Sequence, residues 1–296
     1  MLNFQIVTQL SDQQTEEIVD LIAQCHLYDG GAKDPYLDNR FNYFQEMPWV
    51  ALASSDQHIV GVATIYADAQ PPEEAEMAVF VLPHKRRQGI GQRLGELCQT
   101  TLRQYGYDQW EYWTELAFLN REPDFLAAIG LTADPDWELQ MARPQQATLA
   151  LPARAKTVLR PLSLAEIPAV LPIYQAAFPE NTVDSTRQYL LGCLQDQQND
   201  FQVLWRGSEP LGACAINLDV DRAYLFSLFI SPEQQGNGWG TYLLNQLCLT
   251  YDQVSTLRLG VEASNVQAHH LYERAGFQVE TTVIYLDCPE PKRHLA

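Results

Sequence analysis

The chain has 296 residues, 46% of them hydrophobic, and a formal net charge of −18, so it exceeds one average domain and suits two of about 150 residues, each able to bury a core. An acidic surface of this size argues against nucleic acid and anionic membrane as partners and leaves two readings, attraction of a cationic acceptor such as an amine or plain solubility. No apolar run reaches the roughly 18 residues of a spanning helix, and the opening Met1-Leu2-Asn3-Phe4-Gln5 has neither a basic flank nor an apolar targeting segment, which gives the expectation of a soluble cytoplasmic protein.

In chain order, Phe4 to Val7 reads as a first strand, and Ser11 caps a helix that runs through Leu21 and Ile22 to about Cys25. Tyr28 to Pro48, with Gly30-Gly31 and Asp34-Pro35, reads as irregular. Trp49 to Ser54 and Ile59 to Ala67 alternate about a turn at Ser55-Asp56-Gln57 and predict a hairpin. Ala78 to Leu82 predicts a fourth strand, followed by a glycine-bearing turn and a helix from near Gln92. Gln109 to Leu116 predicts a strand, Asp124 to Ile129 a short helix, and Trp137 to Arg143 a last strand before a linker over Pro144 to Lys156. The second half repeats the order: a strand at Val158 to Leu162, helices over Glu166 to Phe178 and Asp184 to Leu194, and a hairpin of Phe201 to Arg206 with Leu211 to Leu218. Asp219 to Arg222 then turns into a strand from Ala223 to Ile230, and a helix from Thr241 and a strand from Leu257 to Glu262 follow.

The repeat is in register. Pro83 and Pro232, and Gly89 and Gly238, are both 149 residues apart, which marks a duplicated domain. In each copy the strand is followed by glycines and a helix start, Arg86-Arg87-Gln88-Gly89-Ile90-Gly91-Gln92 and Gln235-Gly236-Asn237-Gly238-Trp239-Gly240-Thr241. Glycines there let successive N–H groups converge beside the positive end of a helix dipole, an arrangement suited to phosphate. The Walker and dinucleotide fingerprints fit neither copy, because Gly240-Thr241 has no lysine between its residues and the third dinucleotide glycine is missing. Glu115 and Glu262, each at the end of the next strand, are left as the one hint of a ribose-binding acid. Cysteines 25, 98, 193, 214, 248 and 288 show no C-x-x-C spacing and read as buried thiols with no metal site.

The motifs Arg86-x-x-Gly89-x-Gly91 and Gln235-x-x-Gly238-x-Gly240, together with Leu257 to Glu262 and Asn265-x-x-Ala268-x-x-x-Tyr272-Glu273-x-x-Gly276-Phe277, resemble the GNAT superfamily of acetyltransferases in both halves. The architecture resembles that of tandem members of the superfamily. The resemblance implies an α/β (α+β) protein of two tandem domains, residues 1–146 and 156–290, each a twisted mixed sheet flanked by helices, with the fourth and fifth strands splayed around acyl-CoA. It implies acetyl-CoA as the acyl donor and a primary amine, of a small molecule rather than a protein, as the acceptor. In the second half Leu228, Phe229 and Ile230 would bind pantetheine through the backbone and Gln235 through Thr241 the diphosphate. Asn265 would contact pantetheine or acceptor, Tyr272 would protonate the departing sulfur, and Glu262 is a candidate proton acceptor. In the first half Val79, Phe80, Val81 and Arg86 through Gln92 would hold coenzyme A, with Lys85-Arg86-Arg87 as a basic cluster.

Each role has a plainer rival: Tyr272 as a packing residue, Asn265 as a helix N-cap, His269 and His270 as solvated or packing residues with no third ligand for a metal. Alignment of Gly130 with Gly276 sets Leu126 where the second half has Tyr272, and Pro123 interrupts the corresponding helix. The first half is therefore expected to bind coenzyme A without efficient transfer. A non-catalytic acyl-CoA-binding or sensing module stands as the alternative to an enzyme, and a monomer or homodimer is expected.

Overall fold

The computed structural model describes residues 2–40, 42–179, 181–218 and 221–287. The expected turn residue Asp219 and the sixth cysteine, Cys288, lie outside them. The chain folds as two compact units, residues 1–138 with 281–296 and residues 139–280.

The first unit opens with β1 (Leu2–Val7) and α1 (Asp12–Asp29). Ser11 caps α1 reciprocally with Gln14, as its sequence predicts, and the helix runs one turn past the expected end to a left-handed Gly30. The hairpin β2 (Val50–Ser55) and β3 (His58–Tyr66) turns through Asp56 and Gln57, both at positive φ. Then come β4 (Ala75–Val81), α2 (Ile90–Gln104), β5 (Trp110–Glu115), the short helices α3 (Leu116–Arg121) and α4 (Phe125–Ile129), and the two-residue β6 (Thr132–Ala133). The expected single helix at Asp124 to Ile129 is thus preceded by another: Pro123 cannot continue the helix begun at Leu116, so the stretch breaks in two. The strand order is β1-β2-β3-β4-β5, antiparallel except for the parallel pair β4–β5. The core gathers Ile18, Leu21 and Ile22 of α1, Leu94, Cys98 and Leu102 of α2, and Leu52, Val62 and Ile65 of the sheet, all at most 3% exposed.

The second unit contains most of β7 (Glu138–Pro144), β8 (Thr157–Pro161), α5 (Ile167–Ala177), α6 (Val183–Gln195), β9 (Asn199–Arg206), β10 (Glu209–Leu218), β11 (Arg222–Ile230), α7 (Trp239–Thr250), β12 (Thr256–Glu262) and α8 (Val266–Arg274). Its strand order is β7-β12-β11-β10-β9-β8, with β11–β12 parallel. Alternation along β9 and β10 divides the core between two faces. Leu204, Leu211, Cys214 and Ile216 pack with α7 residues, whereas Val203, Trp205, Ala213 and Ala215 pack with α5 and α6.

One strand has no counterpart among the expected elements. β13 (Gln278–Asp287) carries the chain out of the second unit, and its residues 283–287 pair antiparallel with β5 of the first. The sequence sets the divide in the linker, between 146 and 156; compaction divides the chain at 138/139 and 280/281 instead. Each half thereby gives its last strand to the other unit's sheet. The five described cysteines are buried and unpaired, and no helix among the described residues is long and apolar enough to cross a membrane.

Candidate active site

In the second unit β11 and β12 are hydrogen-bonded from Arg222–Thr256 to Leu225–Leu259 and then part. Two parallel strands that separate leave backbone donors and acceptors in the gap that must find other partners. Beyond the parting, β11 carries a bulge: Ala215 faces Phe226 and Ala213 faces Phe229, so β11 has one residue more than β10 over this stretch. Ser227 takes φ +45° to make it. Its hydroxyl accepts a hydrogen bond from Tyr189 (2.8 Å), whose ring packs against those of Tyr174 and Phe201. Gly212, opposite Ile230, is required by close approach: a Cβ there would overlap the carbonyl of Phe229 and lie 2.6 Å from Cδ1 of Ile230. Leu228, Phe229 and Ile230, predicted to bind pantetheine, thus lie on the bulge and the strand end that follows it.

The glycine-rich turn follows. Gly236 and Gly238 are left-handed at φ +74° and +73°, and α7 starts from Gly238 with no side-chain cap. The first-turn N–H groups of α7 are left for an external acceptor, whereas α1, α6 and α8 are capped by Ser11, Thr182 and Asn265. Gln235 is turned inward, its amide donating to the carbonyl of Ile230 (3.1 Å) and so tying the cradle to the strand end. The linker is ordered against the same helix: Asn245 of α7 bonds Leu151 N and Leu149 O, and Arg154 donates to the carbonyl of Asn237 (3.0 Å).

Helix α8 carries Tyr272, which packs in the core cluster that also holds Ile230, Leu259 and Phe277. Tyr272 is 7% exposed, its ring lies 6.1 Å from that of Phe277, and no described residue hydrogen-bonds its hydroxyl. Burial, and secondarily the Cys214 thiol, pushes the phenol up to about 12. It therefore stays protonated throughout the neutral range and is available as a donor. Asn265 is the N-cap of α8, with its side-chain oxygen accepting from Ala268 N (3.1 Å). Glu262 closes β12 in an exposed position, where Ser264 donates to it at 3.4 Å. The expectation that His269 and His270 lack a third ligand needs correction: the carboxylate of Glu273, one turn on, brings one donor atom from each of the three within 4.8 Å. The i,i+3 and i,i+4 spacings on one helix face account for it as contacts of the Glu273 carboxylate with the two imidazoles.

The first unit repeats the frame with differences. β4 and β5 pair from Ala75–Trp110 to Met77–Tyr112 and then part, and α2 starts uncapped from a left-handed Gly89. However, β3 and β4 stay in unbroken register from Gly61–Val81 to Tyr66–Glu76, without a bulge. Arg87 stands where the second unit has Gly236 and adopts φ +63°. Arg86 matches Gln235 in role, its Nε donating to Val81 O (3.0 Å), while its two terminal nitrogens clamp Asp29 at 2.8 and 2.6 Å. The parting opens a cleft of about 800 Å³, lined from the α2 side by Gly91, Gly95 and Gln99 and from the α1 side by Cys25, His26 and Asp29. Of the ten residues predicted to hold coenzyme A here, all but Gln88 line it.

Two features of this cleft have no place in the sequence reading. His26 sits 3.0 Å from Asp34 and 3.6 Å from Glu115, whose buried carboxylate also accepts from the N–H groups of Ala32 (2.6 Å) and Lys33 (3.0 Å). Glu115, the suggested ribose ligand, is thereby bound to the loop after α1. Gly31 is what lets that loop approach, since a Cβ would collide with the Glu115 carboxylate. Only the His26–Asp34 spacing hinted at the pairing in sequence, and Glu115 is more than 80 residues away from both.

In each unit two parallel strands part, and the first of them leads through a glycine turn into an uncapped helix, an arrangement suited to an anionic group such as phosphate. The acetyltransferase (GNAT) family model matches residues 15–130 and 167–277, and the chain belongs to that family. Among solved structures it is similar to a GCN5-related N-acetyltransferase from Sphaerobacter thermophilus (TM-score 0.76, 16% identity, covering 96% of this chain and 94% of that one). It is also similar to a tandem GNAT protein of the clavulanic acid biosynthesis pathway (TM-score 0.70, 15% identity, 98% and 99%) and to a GNAT-family acetyltransferase from Colwellia psychrerythraea (TM-score 0.58, 15% identity, 97% and 100%). No curated protein sequence matches. The fold is a tandem GNAT fold, and acyl transfer is its general chemistry.

Proposed function

We propose that this protein is an N-acetyltransferase that moves the acetyl group of acetyl-CoA to a primary amine of a small molecule, with the reaction in the unit of residues 139–280. The observation that carries this reading is the pairing of a bulged β11 with an uncapped α7 in that unit alone. The bulge takes Ser227 and Leu228 out of register with β10, and Phe229 and Ile230 rejoin it opposite Ala213 and Gly212; backbone N–H groups of Leu228, Phe229 and Ile230 on the side away from β10 would donate to a thioester oxygen as negative charge grows on it. The first-turn N–H groups after Gly238 suit the diphosphate. Acetyl-CoA, bound there, supplies an activated acyl group. Tyr272, held protonated by burial, donates a hydrogen bond to the departing sulfur. Asn265 orders the start of α8 and so the placement of Tyr272, and Glu262 is the nearest carboxylate on β12 to receive the amine proton. A net charge of −18 favours a cationic acceptor over an anionic one.

The first unit keeps its cleft and cradle but lacks the bulge, and Leu126 stands in place of the tyrosine. This favours a second reading for that unit alone, retention of coenzyme A without transfer. Release of free thiol from acetyl-CoA across a panel of primary amines tests the whole reading. The expected result is release with at least one amine and its loss in Tyr272→Phe. Tight coenzyme A binding with no thiol release for any amine would instead support an acyl-CoA-binding module.

A further inference from the structure

The two cradles differ in charge. The first is preceded by Lys85, Arg86 and Arg87, whereas residues 231–241 of the second contain no lysine or arginine and one acid, Glu233. A diphosphate on the second cradle would meet backbone donors and a helix dipole but no formal positive charge from that segment. The linker provides one. Arg154 donates through one terminal nitrogen to Asn237 O (3.0 Å) and through the other toward Gly238 O (3.5 Å), and its guanidinium lies 4.2 Å from the centre of the Trp239 ring. These are the residues of the turn itself.

Among the described residues no carboxylate claims that charge, which the ring of Tyr242, 5.5 Å away, shares with that of Trp239. Arg206, the other cation near Trp239 at 5.9 Å, is bound to Glu209 at 2.8 Å, but Arg154 has no carboxylate partner among the described residues. Two of the five N–H donors of its guanidinium are used, both on carbonyls, leaving three. Its position is also imposed from outside. Arg143, 4% exposed, donates to Ala275 O and to Thr148, and Asn245 holds Leu149 and Leu151, so the linker is stitched along α7 up to the cradle.

We infer that Arg154 is the cation that binds the diphosphate of coenzyme A on the second unit's cradle, supplied by the linker because the cradle itself has none. This rests on the proposed use of that cradle. Because a guanidinium can reach phosphate oxygens while still braced by the turn carbonyls, it adds charge-assisted bonds to those of the backbone.

Trp239 gives a local readout. Protein grown on 5-fluorotryptophan has six ring signals, one per tryptophan, and Trp239→Phe assigns the one of interest. Its shift is titrated with coenzyme A and with dephospho-coenzyme A in the full chain. For Arg154→Gln the dissociation constant of both should rise on the order of 10- to 100-fold, the loss of a charged hydrogen-bond pair, while Arg154→Lys, which keeps the charge but not the fork on the two carbonyls or the stacking on Trp239, should fall between Arg154→Gln and the parent. Equal affinity of Arg154→Gln and the parent would overturn the inference and leave the proposed function standing. So would Arg154→Lys binding as weakly as Arg154→Gln, which would make the residue a brace for the turn. A loss seen with coenzyme A but not with the dephospho form would move the contact to the 3′-phosphate and overturn the diphosphate assignment. No response of Trp239 in the parent to either ligand would overturn the use of this cradle, and with it the proposed function.

Discussion

In the proposed reaction Tyr272 serves the departing sulfur, and its environment sets what it can do. A phenol raised to about 12 by burial is a weaker acid than an ordinary thiol, so it serves that sulfur as a donor that stays protonated and stabilises the charge building there through its hydrogen bond. Tyr272→Phe keeps the ring against Phe277 and removes only the hydroxyl. We expect kcat to fall on the order of 100-fold or more, the usual worth of a positioned acid, with KM for acetyl-CoA nearly unchanged. The same raised value fixes the sign of the pH dependence: the group is an acid while protonated, so its contribution persists below about 12 and is lost only above it. A kcat profile that declines well below pH 12 would trace to another group. At this scale much was legible. The Asn-to-Tyr spacing singled out both residues, and of the two readings open for Asn265 the structure shows the helix cap. Arg154 was not legible, since a lone arginine in a proline- and alanine-bearing linker has no pattern and its partners lie more than 80 residues on.

Between elements, one difference that separates the two units is a single extra residue in β11. It is invisible in sequence because hydrophobic alternation survives on both sides of it and the 149-residue spacing of the motifs is unaltered. Its support is visible only in space, with Ser227 held by Tyr189 and Gly212 giving way to Phe229. Gly212→Ala should therefore cost about 1–3 kcal/mol of stability by overpacking, and lower turnover more than the affinity for coenzyme A, because the cradle lies beyond the displaced strand. Denaturant unfolding alongside steady-state kinetics would check both parts. β13 was within reach of sequence reasoning: Thr281, Val283 and Tyr285 alternate with other β-formers, but the stretch follows the last recognised motif. Helix α3 was hidden for a different reason, because Pro123 drew the reading toward a single short helix after it.

Across the whole molecule, the exchange of last strands means that chain halves and folded units are not the same objects. The sheet of the first unit gains residues 283–287 along β5, burying Val283 against Ala78 and Trp113. A fragment of residues 1–146 lacks them and exposes β5 as an apolar edge, which is a template for aggregation. We expect that fragment to be insoluble or to unfold at much lower denaturant than the intact chain, and co-expression with residues 147–296 to restore solubility. A soluble, cooperatively folding 1–146 would contradict this. During synthesis the earliest part of the polypeptide must then wait, its sheet one strand short, until residues 283–287 have left the ribosome. Substitutions near Val283 should for that reason lower the yield of folded protein made at physiological temperature more than they lower the melting point of molecules that have already matured.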